Sequence, residues 1–230
     1  MSESDFSEAL AAVPTAQRTA RQAEMRRAAD AIRRIIDKFV ATKAPSDELT
    51  RAAEALERVA RDLEPWPQGR VFEGFNESAN AGDPHAFFDH SPIIGKANPL
   101  APPLDIVSVE GTHVVAEATF GAAYEGPPGC VHGGYVAAVF DEFLGLTQSL
   151  SGKHGMTGTL TVRYRQPTPL HRRLRFEGDL TGSEGRKIFT VGRCLVDDVV
   201  TAEAEGLFIT VDFERIAALY LSREAAVGDA

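Results

Sequence analysis

Apolar positions change their spacing twice along this chain, and each change marks a new kind of element. Between residues 21 and 41, Ile32, Ile35, Ile36, Phe39 and Val40 recur at i, i+3, i+4, i+7 and i+8, which predicts an amphipathic helix. Pro45 and Ser46 interrupt it. Ser46 is the expected N-cap of a second helix, with Asp47 and Glu48 in its first turn and a stripe of Leu49, Ala53, Leu56, Ala60 and Leu63. Residues 1–64 are therefore expected to form an N-terminal helical extension, a hairpin that follows a small, polar and frayed start over residues 1–20.

Residues 65–104 have no period at all. They hold Pro65, Pro67, Gly69, Gly74, Gly82, Pro84, Pro92, Gly95, Pro99, Pro102 and Pro103, with Phe72, Phe75, Phe87 and Phe88 scattered among them. Such a segment is expected to pack irregularly over the next domain. From residue 105 the period becomes two. Strands are predicted at about 105–110, 113–120, 157–165, 173–181, 187–196 and 199–212, joined by short turns that imply antiparallel pairing. One long helix interrupts them, apolar nearly all round, and a helix of that kind must be wrapped by the sheet. The predicted class is α+β, with a domain over 105–215 and a tail over 216–230.

Composition narrows the function. The 230 residues carry a formal net charge of -9, which argues against a general nucleic-acid or anionic-membrane binder. No run reaches the roughly 18 apolar residues of a membrane span. The start MSESDFSEALAAVPTAQRTA lacks a basic stretch followed by an apolar one, so no secretory signal is expected. Cys130 and Cys194 lie far apart, in no metal-ligand spacing, which fits a reducing compartment; the expected location is cytoplasmic.

The chemistry concentrates in GCVHGGYVAAVFDEFLGL, residues 129–146. Gly133 and Gly134 open the long helix, where backbone N–H groups are unpaired and the dipole is positive. Glycine lets a substrate oxygen approach those donors, as an oxyanion hole requires. Asp141 and Glu142 sit in the middle of the greasy helix. A carboxylate there costs desolvation unless it is paired or performs general-base chemistry. A buried acid hydrogen-bonded to a strand is the bland alternative. Eight helical residues separate Gly133 from Asp141, about 12 Å, so one carbonyl cannot reach both within a chain. If both act on one carbonyl they come from two chains placed antiparallel across a two-fold axis, and a homodimer is expected. No partner at ligand spacing makes His132 a metal site. Its expected role is to hydrogen-bond near the loop and hold the Gly133 amide. Cys130 has no evident base and is a weak nucleophile candidate.

A basic stretch stands out in this acidic chain. Arg163, Arg165, Arg172, Arg173, Arg175, Arg186 and Lys187 face only Glu177, Asp179 and Glu184 in the same window. Arg186 and Lys187 follow the Ser183-Glu184-Gly185 turn, a position suited to gripping a polyanion. A charged strand edge that prevents self-pairing is the alternative.

The motifs VHGGYVAAVFDEFLG, MTGTLTVRYRQPTPL and GRKIFTVG resemble those of hotdog-fold thioesterases of the phenylacetate-pathway type and the related mammalian acyl-CoA thioesterases with N-terminal extensions. The resemblance covers about residues 100–212. It implies a long central helix wrapped by an antiparallel sheet, in dimers that often pair further into dimers of dimers. It implies acyl-CoA as substrate and no cofactor. Asp141 would activate water or attack the carbonyl, Gly133 N–H would hold the oxyanion, and Thr157 would orient the water or the acid. Arg186 and Lys187 would contact the phosphates of coenzyme A. The catalytic set expected is Asp141, Gly133, His132 and Thr157, with Gly134, Glu142, Arg186 and Lys187 against substrate. Glu142 beside Asp141 departs from the pattern. Two rivals are a dehydratase or hydratase of the same fold, and a non-catalytic module that binds acyl-CoA or an acyl carrier.

Overall fold

The computed structural model describes residues 15–66, 89–153 and 155–210, with side chains from Ala20 onward. The phenylalanines at 72, 75, 87 and 88, the start of the chain and the tail over 216–230 lie outside the described residues. Two compact units divide the chain, 1–101 and 102–230.

In the first unit, helix α1 spans Thr15–Ala41 and helix α2 spans Ser46–Leu63. Ser46 is not the cap. The cap position belongs to Pro45, extended at φ -68° and ψ 163°, and no side chain caps the helix. Asp47 and Glu48 do occupy the first turn, where they face the positive end of the dipole. One side of α1 is anchored to the irregular segment that follows. Arg26 Nε donates to both carboxylate oxygens of Asp89 at 2.9 and 3.1 Å, and Gln22 adds a third bond at 3.1 Å. Asp89 is only 3% exposed, so these donors replace the water it has lost. Arg33 donates to the carbonyls of Asn98 and Lys96 at 2.7 and 2.8 Å. Both expected helices form, but no residue of α2 is buried, and Leu56, Val59 and Leu63 remain exposed.

The second unit is a single antiparallel sheet of six strands in the order β1-β2-β4-β5-β6-β3. The strands are β1 (Asp105–Glu110), β2 (His113–Thr119), β3 (Gly155–Tyr164), β4 (Arg173–Glu184), β5 (Lys187–Val196) and β6 (Val199–Thr210). Helix α3 (Gly133–Ser149) lies on one face. It buries Val136, Val139, Phe140, Phe143, Leu144 and Leu146 against Leu174, Phe176, Ile188 and Phe208. Each of these large side chains contributes about 1.5–3 kcal/mol when fully buried. Small residues let the helix sit close. Gly178 pairs with Gly192, and Gly192 with Ala204, in one row across three strands. A Cβ on Gly178 would stand 2.7 Å from Thr147 Oγ1 and 2.8 Å from the Phe143 ring.

Among the described residues β3 pairs only with β6, which leaves a ten-residue strand with one edge open. A bulge between Thr157 and Thr159 breaks its register. No described helix is long and apolar enough to cross a membrane.

Candidate active site at the start of helix α3

A tight loop delivers the chain to α3. Gly126 N–H donates to the Cys130 carbonyl at 2.9 Å, and Gly129, at φ 74°, turns the chain back. A Cβ on Gly126 would come 2.7 Å from His132 Cα, so only glycine permits this approach. His132 is the N-cap residue, its own N–H donating to the Tyr124 carbonyl at 2.8 Å. Edge-on contacts from Phe120 to Tyr124 (5.5 Å) and from Tyr124 to Tyr135 (4.9 Å) brace the turn.

Two side chains then clamp the Gly133–Gly134 peptide from opposite ends. The Gly134 N–H donates to His132 Nδ1 at 3.0 Å, while Tyr164 Oη donates to the Gly133 carbonyl at 2.7 Å. This corrects the expected role of His132, whose ring takes up the Gly134 amide and not that of Gly133. The Gly133 N–H has no acceptor among the described residues. A fixed, unpaired amide at the positive end of a 17-residue helix is what a developing oxyanion needs.

The acids are less buried than expected. Asp141 and Glu142 are both half-buried, on the face of α3 that also carries Ala137, Ala138 and Gly145. The apolar surroundings read from the sequence belong to the opposite face. The two carboxylates also differ. Glu142 is already engaged by a neighbour, whereas Asp141 has no hydrogen bond or ion pair among the described residues. That leaves Asp141 open for chemistry.

Strand β3 separates the remaining groups. Tyr164, at one end, ties that end to Gly133. Thr157, exposed, sits seven residues away near the other end, about 23 Å along an extended strand. Lys187 and Met156 both pair with Ile209, so the β4–β5 turn and Thr157 share the same end of the sheet. At that turn Gly185 has φ 55°, Arg186 donates to the Thr210 carbonyl at 3.1 Å, and Lys187 is exposed. Lys153 joins them, with Nζ 3.4 Å from both Ser183 Oγ and the Gly185 carbonyl. The sequence reading missed Lys153 and Tyr164. The tyrosine stands in the quoted VRYRQP stretch, but nothing local pairs it with Gly133.

The wider basic stretch is neutralised. Arg163 pairs with Glu205, Arg165 with Glu203, Arg172 with Asp197, Arg173 with Glu117, and Arg175 with Glu177 and Asp198. Most of these acids lie outside the 163–187 window and arrive on neighbouring strands or, for Asp197 and Asp198, on the β5–β6 turn. Cys130 Sγ approaches the Pro128 carbonyl at 3.6 Å, which supplies no base. No group of three or more potential metal ligands gathers among the described residues.

No known family model matches the chain. A solved structure of a thioesterase superfamily protein superposes with a TM-score of 0.70 at 36% identity, covering 80% of this chain and 94% of that one. Acyl-coenzyme A thioesterase THEM4 of Bos taurus is 35% identical over 97 residues, which are 41% of this chain and 40% of THEM4. Acyl-coenzyme A thioesterase THEM5 of Homo sapiens is 29% identical over 96 residues, 41% of this chain and 39% of THEM5. The chain spans about two fifths of the length of these curated relatives.

Proposed function

Because this chain belongs to the thioesterase superfamily, with the hotdog architecture that its sheet and central helix express, we propose that it hydrolyses acyl-CoA thioesters to a free acid and CoA. The observation that carries the reading is the pairing of an open Gly133 N–H with an open Asp141 carboxylate on one helix, about 12 Å apart.

The site is completed by a second subunit. The open edge of β3 supports a homodimer in which two copies of this strand run antiparallel across a two-fold axis. Reversal of the strand brings the Thr157 end of one chain to the Tyr164–Gly133 end of the other. The same two-fold reverses α3 and carries Asp141 toward the partner's helix start. Pairing of such dimers into a dimer of dimers is compatible with this arrangement.

The thioester oxygen binds at Gly133 N–H, and water lies between the carbonyl carbon and Asp141. Asp141 takes a proton as the water oxygen bonds to carbon, and the carbonyl electrons move onto the oxygen held by Gly133. Collapse of the tetrahedral species breaks the C–S bond. The thiolate leaves with the electron pair and receives the proton from Asp141. A leaving thiol of pKa about 8.5, by analogy with free cysteine, makes a strong acid unnecessary. Thr157 orients the water or the acid, while His132 holds the donor peptide through Gly134. Arg186 and Lys187, with Lys153, face the CoA phosphates, and Glu142 borders the substrate. No cofactor takes part. The cellular setting proposed is a reducing cytoplasm, in which Cys130 and Cys194 stay as thiols.

Thiol release from short, aromatic and long acyl-CoAs, with wild type and Asp141→Asn side by side, tests the reading. Loss of about 100-fold or more in turnover in the variant is expected. Turnover that survives the substitution transfers the role to Glu142. Tight acyl-CoA binding with no release from any substrate makes the chain a binding module instead.

A further inference from the structure

Two apolar stripes on the N-terminal helices have the same length and the same spacing, and both are largely exposed among the described residues. On α1, Met25, Ala28, Ile32, Ile35 and Phe39 alternate at three and four residues, the spacing of a coiled-coil seam. They lie beside the face that Gln22, Arg26, Ala29 and Arg33 fix against the 89–101 segment. Met25, Ile32, Ile35 and Phe39 are 36%, 41%, 41% and 56% exposed. On α2 the matching series is Leu49, Ala52, Leu56, Val59 and Leu63, and no residue of that helix is buried. Two such exposed apolar stripes on one small unit are more than monomers usually leave uncovered.

We infer that α2 of one chain docks antiparallel on α1 of a second copy, and that the exchange is reciprocal. The occupant is argued from three observations. Residues 25–39 and 49–63 each span two heptads, so an antiparallel seam pairs Met25 with Leu63, Ile32 with Leu56 and Phe39 with Leu49. The charges are complementary. From residue 20 onward α1 carries Arg21, Arg26, Arg27, Arg33, Arg34 and Lys38 against Glu24, Asp30 and Asp37. Helix α2 carries Asp47, Glu48, Glu54, Glu57 and Asp62 against Arg51, Arg58 and Arg61. The antiparallel seam sets Arg34 level with Glu54, Asp37 with Arg51 and Asp30 with Arg58. Finally, the connection is short, with Ala44 N–H donating to Thr42 Oγ1 at 3.1 Å and Pro45 extended, and no residue of α2 is buried. The apolar stripe of α2 is thus available to a neighbour, which is the condition for exchange of an element between copies.

Cross-linking between two tagged chains tests this. In a Cys130→Ser background, Ile32→Cys on one chain and Leu56→Cys on a differently tagged chain are co-expressed and mildly oxidised. The expected product is a mixed-tag disulfide at twice the mass of one chain, absent when either variant is expressed alone. Leu56→Asp in the otherwise unchanged full chain should lower the sedimentation mass by one step of assembly while the folded sheet keeps its near-ultraviolet signature. Four results overturn the inference: a disulfide within a single chain carrying both cysteines and no mixed product, a cross-link from Leu56→Cys alone, no cross-link at all, or an unchanged mass for Leu56→Asp. None of these readouts depends on enzymatic activity.

Discussion

Tyr164 Oη donates to the carbonyl of Gly133 at 2.7 Å, across 31 residues of sequence, and a Cβ on Gly133 would come within 3.3 Å of the tyrosine. The bond does not touch the proposed oxyanion donor itself. It fixes the next peptide, and with His132 on the Gly134 amide it sets the direction in which the Gly133 N–H points.

Tyr164→Phe removes that bond and keeps the ring. A neutral hydrogen bond contributes about 1 kcal/mol, so turnover should fall about fivefold with little change in KM. Steady-state kinetics beside a thermal melt checks this. A rise in KM with unchanged turnover would place Tyr164 in substrate binding instead.

A site shared by two chains makes inactive subunits complement one another. Asp141→Asn and Gly133→Val, each inactive alone, should recover activity when co-expressed, because a mixed dimer retains one site with both native groups. Random pairing in a two-fold dimer predicts about a quarter of wild-type activity. Mixtures that stay inactive would show that both groups come from one chain.

Phe143 is fully buried between α3 and the sheet, with its ring 6.0 Å from that of Phe176. Phe143→Ala should lose about 3–5 kcal/mol of stability, read from denaturant midpoints. Gly178→Ala, whose Cβ would press on Phe143 and Thr147, should lose about 1–3 kcal/mol by overpacking.

Burial pushes the Cys194 thiol up from 9.0 to about 11. At mildly alkaline pH a thiol reagent should therefore label Cys130 in the folded chain, and Cys194 only after unfolding. The sign for stability follows from the raised value. The contribution is complete below about 9, where both states hold the proton, and is lost as pH rises toward about 11, because the unfolded chain ionises first. Melting temperatures across that range, with Cys194→Ala for comparison, measure it.

The strands and the start of α3 were legible in the sequence because both signals are local. Alternation marked the strands of 105–110 and 187–196 to the residue, and the double glycine after His132 marked the helix start. A period and a breaker need only neighbouring residues, and so does the antiparallel pairing implied by short turns. The open amide of Gly133 and the distance to Asp141 also followed from helix geometry alone.

The tertiary structure decided what depends on groups far apart in the chain. It chose Gly134 as the amide taken up by His132, and it brought Tyr164 to Gly133. It cancelled the basic stretch with acids such as Glu203 and Glu205 on β6, which no window around 163–187 contains. It also turned Asp141 and Glu142 toward the less buried face of α3 and left no residue of α2 buried. A linear pattern specifies which residues are apolar and where the backbone must bend. Which distant side chain completes a hydrogen bond, and which apolar stripe stays open, is set only when the strands and helices are packed.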